Sequence, residues 1–347
     1  MEAKAAIKKV TEGRDLTERE MSGVFSSIMS GHFTPAQIAA FLTALRVKGE
    51  TVEEITGAAR IMRRAALKIK VPGGDAVDTC GTGGSGKSTF NFSTVSAFVV
   101  AGCKIKVAKH GNRSASGKCG SADVLEALGV KLDVSPRVTE KCINEIGVGF
   151  MFAPVFHKSL KYAMLPRKEI GIRTIFNLLG PLCNPAFPKY QLVAVYDKEL
   201  TEVIAGVLRN LGLKRAFVVS GEDGLDEVTI TGKTRVSELV GGKISTYTLQ
   251  PSDFGFKTAS FKSISGGSTK TNSGIMKDVL FGEKGPVRDM TVMNSAVAIV
   301  AAGRADVLVE AVKMAELSID SGRALEKLEL LKKATCSAGS GKRKGKK

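Results

Sequence analysis

The chain has 347 residues, 43% of them hydrophobic, and carries 51 Lys and Arg against 34 Asp and Glu, a formal net charge of +17. That length can supply a core for one large domain or two modest ones. The longest apolar run, around residues 95–103, is too short to span a bilayer, so no membrane partner is expected. Six scattered cysteines (Cys80, Cys103, Cys119, Cys142, Cys183 and Cys336) include no CxxC pair and no nearby His at metal-finger spacing, which argues against disulfides and structural zinc. Residues 1–13 form a charged helical pattern without a cleavable apolar core, and a cytoplasmic protein is the expectation.

Residues 1–72 read as a small helical domain. Three helix starts follow one another, Thr17 with Glu20, Thr34 with Pro35 and Gln37, and Thr51 with Glu54, each a capping pair. Ile38, Phe41, Leu42 and Leu45 fall at helical spacing, and Gly31 and Gly49 mark two ends.

At the Val71-Pro72-Gly73-Gly74 stretch the pattern changes to alternating strands and helices. Strands are predicted at 76–79, 104–108, 149–152, 191–196 and 215–220, with helices at 94–101, 122–128, 136–146 and 200–211. This predicts an α/β domain over 73–164 and 189–335, with a mostly parallel central sheet flanked by helices. A helix at 172–179, ended by Gly180-Pro181, breaks the alternation, and about 165–188 is expected to dock back onto the helical domain. Closing helices are predicted at 294–302 and 307–331, then a disordered basic tail at 336–347 that holds five of the positive charges.

Residues 78–94 run from a strand end through a glycine-rich loop (Gly81, Gly83, Gly84, Gly86) into a helix start. Backbone N–H groups free of Cβ atoms can cradle phosphate there, and Thr89, Asn91, Ser93 and Thr94 add polar groups. Residues 81–88 also satisfy the G-x-x-x-x-G-K-S pattern of a P-loop hydrolase, with 192–197 as a strand ending in a metal-holding Asp. Against that, residues 89–92 are poor helix-starting sequence after the Lys-Ser pair, and the next good cap is Ser93. The next strand leads into Lys109-His110-Gly111-Asn112-Arg113-Ser114, two cations, a histidine and an amide suited to a diphosphate. In Gly224-Leu225-Asp226-Glu227 the adjacent carboxylates need a cation, and Mg2+ with phosphate oxygens is the natural one.

These segments, with Gly120-Ser121-Ala122-Asp123, Phe152-Ala153-Pro154, Gly171-Ile172-Arg173-Thr174 and Asn177-Leu178-Leu179-Gly180-Pro181-Leu182, closely resemble the anthranilate phosphoribosyltransferases over nearly the whole chain. That family shares its fold with the pyrimidine nucleoside phosphorylases. The resemblance implies a homodimer of the tryptophan pathway with its active site between a helical and an α/β domain. The reaction would join anthranilate to phosphoribosyl pyrophosphate and release pyrophosphate. Gly81, Gly84, Ser85, Thr89, Asn91, Phe92, Ser93 and Thr94 would hold phosphoribosyl pyrophosphate, together with Lys109, His110, Gly111, Asn112, Arg113, Ser114, Ala115, Ser116, Gly117 and Ser121. Asn112 and Arg167 would meet anthranilate, Arg167 through its carboxylate, with His110 as a donor in the tunnel wall beside Pro181. Lys109, His110 and Arg167 would form the catalytic centre, and Ser93, Asp226 and Glu227 would hold magnesium. Ser85 stands where the family usually has Asp, so a neutral hydroxyl replaces a carboxylate beside the diphosphate.

Other classes stay open on the sequence: a pyrimidine nucleoside phosphorylase, recognisable by phosphorolysis of thymidine or uridine, and a P-loop hydrolase, recognisable by ATP turnover dependent on Lys87. The net charge also admits a nucleic-acid-binding relative without transferase activity. Few aromatics and the tail's share of the charge weigh against nucleic acid as a partner.

Overall fold

The computed structural model describes residues 1–87, 89–114 and 119–340, the side chains of 338–340 excepted. Four helices come first: α1 (Ala3–Thr11), α2 (Glu18–Met29), α3 (Pro35–Lys48) and α4 (Val52–Ala65). The three capping pairs close as reciprocal boxes, Thr17 with Glu20, Thr34 with Gln37 and Thr51 with Glu54, each satisfying two otherwise orphaned N–H groups.

The α/β part follows. β1 (Val77–Asp78), α5 (Phe92–Gly102), β2 (Val107–Gly111), α6 (Ser121–Ala127) and α7 (Pro136–Lys141), which runs on through a π-turn at Cys142–Ile146, lead to β3 (Val148–Phe152). Next come α8 (Ala153–Phe156), α9 (Lys161–Ile170), α10 (Ile175–Leu182), β4 (Tyr190–Ala194), α11 (Leu200–Asn210) and β5 (Arg215–Gly221). An antiparallel pair, β6 (Thr234–Val240) and β7 (Lys243–Leu249), precedes α12 (Thr269–Leu280), α13 (Pro286–Ala301), α14 (Leu308–Asp320) and α15 (Arg323–Ser340).

Seven strands form one sheet in the order β3-β2-β1-β4-β5-β6-β7, parallel from β3 to β5 and antiparallel beyond. Both faces of the parallel part, β3 to β5, are covered, which keeps its backbone ladder away from water, while the edge strand β7 is largely exposed. Leu192, Ala194, Phe217 and Val219 point into a core with α5, α13 and α14. Their neighbours Val193, Val195, Ala216 and Val218 point the other way, into a core shared with α2, α3, α4, α10 and α11. The chain leaves β1 for β2 on one side and takes up β4 on the other. This reversal opens a crevice beyond the strand carboxyl ends.

Several boundaries depart from expectation. The second strand lies at Val107–Gly111 instead of 104–108, because Lys104 takes a positive φ of 62° and still belongs to the turn after α5. α5 begins at Phe92 instead of residue 94, with Asn91 as its cap residue. α10 runs through Gly180 and Pro181 to Leu182: proline so near a helix end disturbs little of the ladder. The helix predicted at 307–331 is two helices, broken at Ser321 and at Gly322 with its φ of 75°. Residues 336–340, assigned to the tail, continue α15, while 341–347 lie outside the described residues. No described helix is long and apolar enough to cross a membrane.

Candidate active site

The glycine loop leaves β1 and crosses the end of β4. Thr82 N donates to Ala194 O at 2.8 Å, and a Cβ on Gly81 would sit 2.8 Å from that same oxygen, so only glycine fits there. Gly84, at φ 91°, turns the loop outward. Lys87 donates to Asp223 O, and its ammonium lies 5.4 Å from the Phe261 ring centroid. No helix starts at Lys87. α5 begins five residues later, so this loop lacks the P-loop arrangement of a lysine entering a helix that cradles phosphate. Ser88 lies outside the described residues.

β2 carries Lys109 and His110 to the same crevice, both buried. Beneath them the Asp78 carboxylate accepts from Asn184 Nδ2 at 2.7 Å, Cys80 N at 3.1 Å and His110 N at 3.2 Å. Burial pushes the Asp78 carboxyl up, and the Lys109 charge and these donors oppose that. Lys109 Nζ donates to Thr79 O at 3.3 Å, tying β2 to the glycine loop.

Arg113 reaches the cavity wall, but its guanidinium pairs with Glu126 and Asp123, each at 2.8 Å. The fixed cation expected to face the diphosphate is thus already engaged by acids on α6. The Asp123 Oδ2 also accepts from Gly120 N at 2.8 Å, closing the loop on itself. Ala115, Ser116 and Gly117 lie outside the described residues.

The third segment is a turn held by Asp223, which accepts from Leu225 N at 3.0 Å and Thr229 Oγ1 at 2.7 Å. It presents Asp226 and Glu227 to the cavity. Burial and then the neighbouring Asp226 push the Glu227 carboxyl up to about 8, with the Lys109 charge opposing. Ser93 N donates to Glu227 Oε1 at 3.3 Å. Asp226 is also raised by burial, and a hydrogen bond from Ser85 opposes this. Two buried adjacent acids pushed toward protonation form a donor set that suits a divalent cation. No group of three or more metal-holding His, Cys, Asp or Glu occurs among the described residues, so most ligands would be waters and substrate oxygens, as magnesium prefers.

The glycine loop, Lys109, His110, Arg113, Asp226 and Glu227 line one cavity of about 550 Å³, whose far end is built from α4, α9 and α10. There Arg167 stacks 4.8 Å from the Phe176 ring centroid, and burial holds its guanidinium below the usual range. His110 Nδ1 donates to Gly180 O at 2.9 Å, and its Nε2 is buried without a hydrogen-bond partner among the described residues. Burial and then the nearby His157 lower the His110 ring to about 3, so it is neutral. Its one N–H is therefore spent on Gly180, and toward the cavity His110 presents an acceptor; the expected donor role is corrected.

The expected residues from Gly81 to Ser93 line the cavity with one exception, as do Asn112, Ser114, Ser121 and Arg167. The exception is Phe92, which packs edge-on against Phe90 in the core, 5.2 Å between centroids. Thr94, two residues further into α5, is also fully buried outside the lining. Pro181 does not line the wall either; its carbonyl accepts from Gln191 Nε2 at 2.8 Å, and Gly180 and Leu179 form the wall in its place. Sequence reasoning passed over His157, whose ring lies 5.1 Å from that of His110, and Met62 and Leu160 beside it. Their only signal is position in the fold.

Residues 73–325 match the model of a glycosyl transferase family α/β domain, and residues 4–66 match the helical bundle domain of the same family. The chain is 56% identical over 328 residues to the anthranilate phosphoribosyltransferase of Moorella thermoacetica, covering 94% of this chain and 97% of that one. The chain belongs to the anthranilate phosphoribosyltransferase family. Among solved structures of that family, the enzyme of Thermus thermophilus superposes with a TM-score of 0.91 at 40% identity, over 95% of this chain and 99% of that one. The Saccharomyces cerevisiae enzyme in complex with PRPP and Mg superposes with a TM-score of 0.89 at 30% identity, over 96% and 98%. Membership of the anthranilate phosphoribosyltransferase family separates the chain from the pyrimidine nucleoside phosphorylases and from the P-loop hydrolases.

Proposed function

We propose that the chain transfers the phosphoribosyl group of 5-phosphoribosyl 1-pyrophosphate to the amine of anthranilate. The products are N-(5-phosphoribosyl)anthranilate and pyrophosphate, a step of tryptophan biosynthesis. One observation carries the reading: a single cavity joins a glycine loop and a buried carboxylate pair at one end to a neutral-histidine, arginine-bearing apolar end at the other. The first end suits a magnesium-chelated diphosphate and the second a flat aromatic carboxylate.

The glycine loop offers backbone N–H groups to the phosphates, and Lys109 adds a buried positive charge beside them. Asp226 and Glu227, with Ser93 next to Glu227, would hold Mg2+, which when bound neutralises charge on the departing pyrophosphate. Arg167 would pair with the anthranilate carboxylate and Asn112 would contact the same substrate. The free amine then attacks the ribose C1 as the bond to pyrophosphate breaks, and the amine loses a proton. An aromatic amine is already a nucleophile, so the gain comes from orientation and charge placement. The neutral Nε2 of His110, and that of His157, offer acceptors near the incoming amine.

The unit made by α1–α4 with 161–182 forms one wall of the cleft and the sheet with its helices the other. A homodimer in the cytoplasm completes the reading. Pyrophosphate release that requires both substrates and Mg2+, followed with a coupled phosphate assay, tests it; release without anthranilate would contradict it.

A further inference from the structure

Asn272, in the first turn of α12, is 1% exposed and is not among the residues that line the cavity. Its Oδ1 accepts from Gly267 N at 2.7 Å, and its Nδ2 donates to Asn91 Oδ1 at 2.9 Å. Asn91 Nδ2 in turn donates to Cys119 O at 3.2 Å. The two ends of this chain are backbone groups of fixed sense, a donor at Gly267 and an acceptor at Cys119. Both amide orientations follow, since neither side chain can flip without opposing donor to donor or acceptor to acceptor.

The chain spans three segments. Gly267 and Asn272 belong to α12 and its lead-in, Asn91 ends the glycine loop, and Cys119 lies in the second loop just before Ser121. The lead-in grips the glycine loop a second time: Thr89 pairs with Ser265 as an antiparallel bridge, and a Cβ on Gly266 would meet Thr89 O at 2.4 Å. The amide of Asn91 is therefore committed to holding the two loops at a fixed separation.

We propose that Asn272 is a positioning residue for the phosphoribosyl diphosphate end of the site, acting through Asn91 on the gap between the two phosphate-facing loops. The proposal rests on the substrate reading above. Asn272→Asp is nearly isosteric and keeps the acceptor for Gly267 N, and a carboxylate in the first turn of a helix is favourable. Ionised, it lacks the donor for Asn91, and no flip of Asn91 satisfies both the carboxylate and Cys119 O; protonated, it would restore that donor, so Asn272→Ala, which has none, decides the test.

Steady-state kinetics of the full-length chain test this. Asn272→Asp should raise KM for phosphoribosyl pyrophosphate about tenfold, the scale of one lost hydrogen bond to a buried acceptor, and leave KM for anthranilate within about twofold. Asn272→Ala should show the same split. In an Asn91→Ala background, Asn272→Asp should add less than about twofold, because the two side chains act in series. A folded Asn272→Ala enzyme with wild-type KM, an equal rise for both substrates, or an undiminished effect in the Asn91→Ala background would overturn the proposal. A wild-type chain inactive on this substrate pair would instead sink the substrate reading.

Discussion

His110 at the end of β2 donates through Nδ1 to the carbonyl oxygen of Gly180 in α10 at 2.9 Å, joining the two walls of the cleft by a neutral ring. Burial lowers His110 to about 3 and His157 to about 4. Both rings take up a proton near pH 6.5 when unfolded. Below that pH the unfolded chain binds more protons, so stability falls as pH drops from about 6.5 toward 4. Each ring accounts for up to about 2 kcal/mol of that loss by pH 5. Urea unfolding of His157→Gln between pH 5 and 8 should show a flatter acid limb than wild type; an unchanged limb would mean the ring does not stay neutral.

Arg167 lies against Phe176, and no carboxylate within ion-pair reach of it is seen among the described residues. A partly buried guanidinium without an acidic partner is poised to take one from a ligand. Arg167→Ala should raise KM for anthranilate by about ten- to a hundredfold and change that for phosphoribosyl pyrophosphate far less. An equal rise for both substrates would remove Arg167 from the carboxylate role.

With Asp226 and Glu227 as the proposed magnesium ligands, metal use should depend on pH. Glu227, pushed up to about 8, holds a proton at neutral pH that a cation must displace. The Mg2+ concentration for half-maximal activity should therefore fall between pH 6.5 and 8.5, and Asp226→Asn should raise it about tenfold or more. The sign reverses for the metal-free fold. A carboxyl raised above its unfolded value binds its proton more tightly when folded, so stability falls as pH rises from about 4.5 to 8. Glu227→Gln should raise the Tm of the metal-free protein at pH 8 while abolishing its response to Mg2+.

Asp78 stands between Lys109 and the backbone of β2, with Asn184 completing its shell. Asp78→Ala would remove one of the two carboxyls that feel the Lys109 charge, the other being Glu227, and strip the acceptor from three donors. A loss of about 3–5 kcal/mol is expected, the scale of leaving three buried donors without their acceptor. A thermal or urea melt within about 1 kcal/mol of wild type would show that these donors find water instead.

What could be read beforehand was what local chemistry decides. The boxes at Thr17, Thr34 and Thr51 form because each satisfies its own backbone within four residues, and the glycine loop is marked by its own run of glycines, three of them at positive φ. What could not be read depends on tertiary neighbours. β2 runs on through Lys109 and His110 because Thr79 O takes the Lys109 ammonium, and Asp78 and Gly180 take the backbone N–H and the ring N–H of His110, in the interior. The β6–β7 pair was missed altogether, although Gly241 and Gly242 turn between its strands with positive φ. Arg113 looked like a phosphate ligand in isolation, and only the fold shows Asp123 and Glu126 holding it. His157 gave no sign at all, since it enters the cavity from the turn after α8, far in sequence from the loops it faces.

Anthranilate is intrinsically fluorescent, and its emission can be followed after mixing the 347-residue chain with phosphoribosyl pyrophosphate. A loss of anthranilate fluorescence is expected that requires Mg2+, scales with enzyme concentration and is matched by one pyrophosphate released per anthranilate consumed. Constant fluorescence across the whole range of Mg2+ concentration, with folded enzyme and both substrates present, would contradict it.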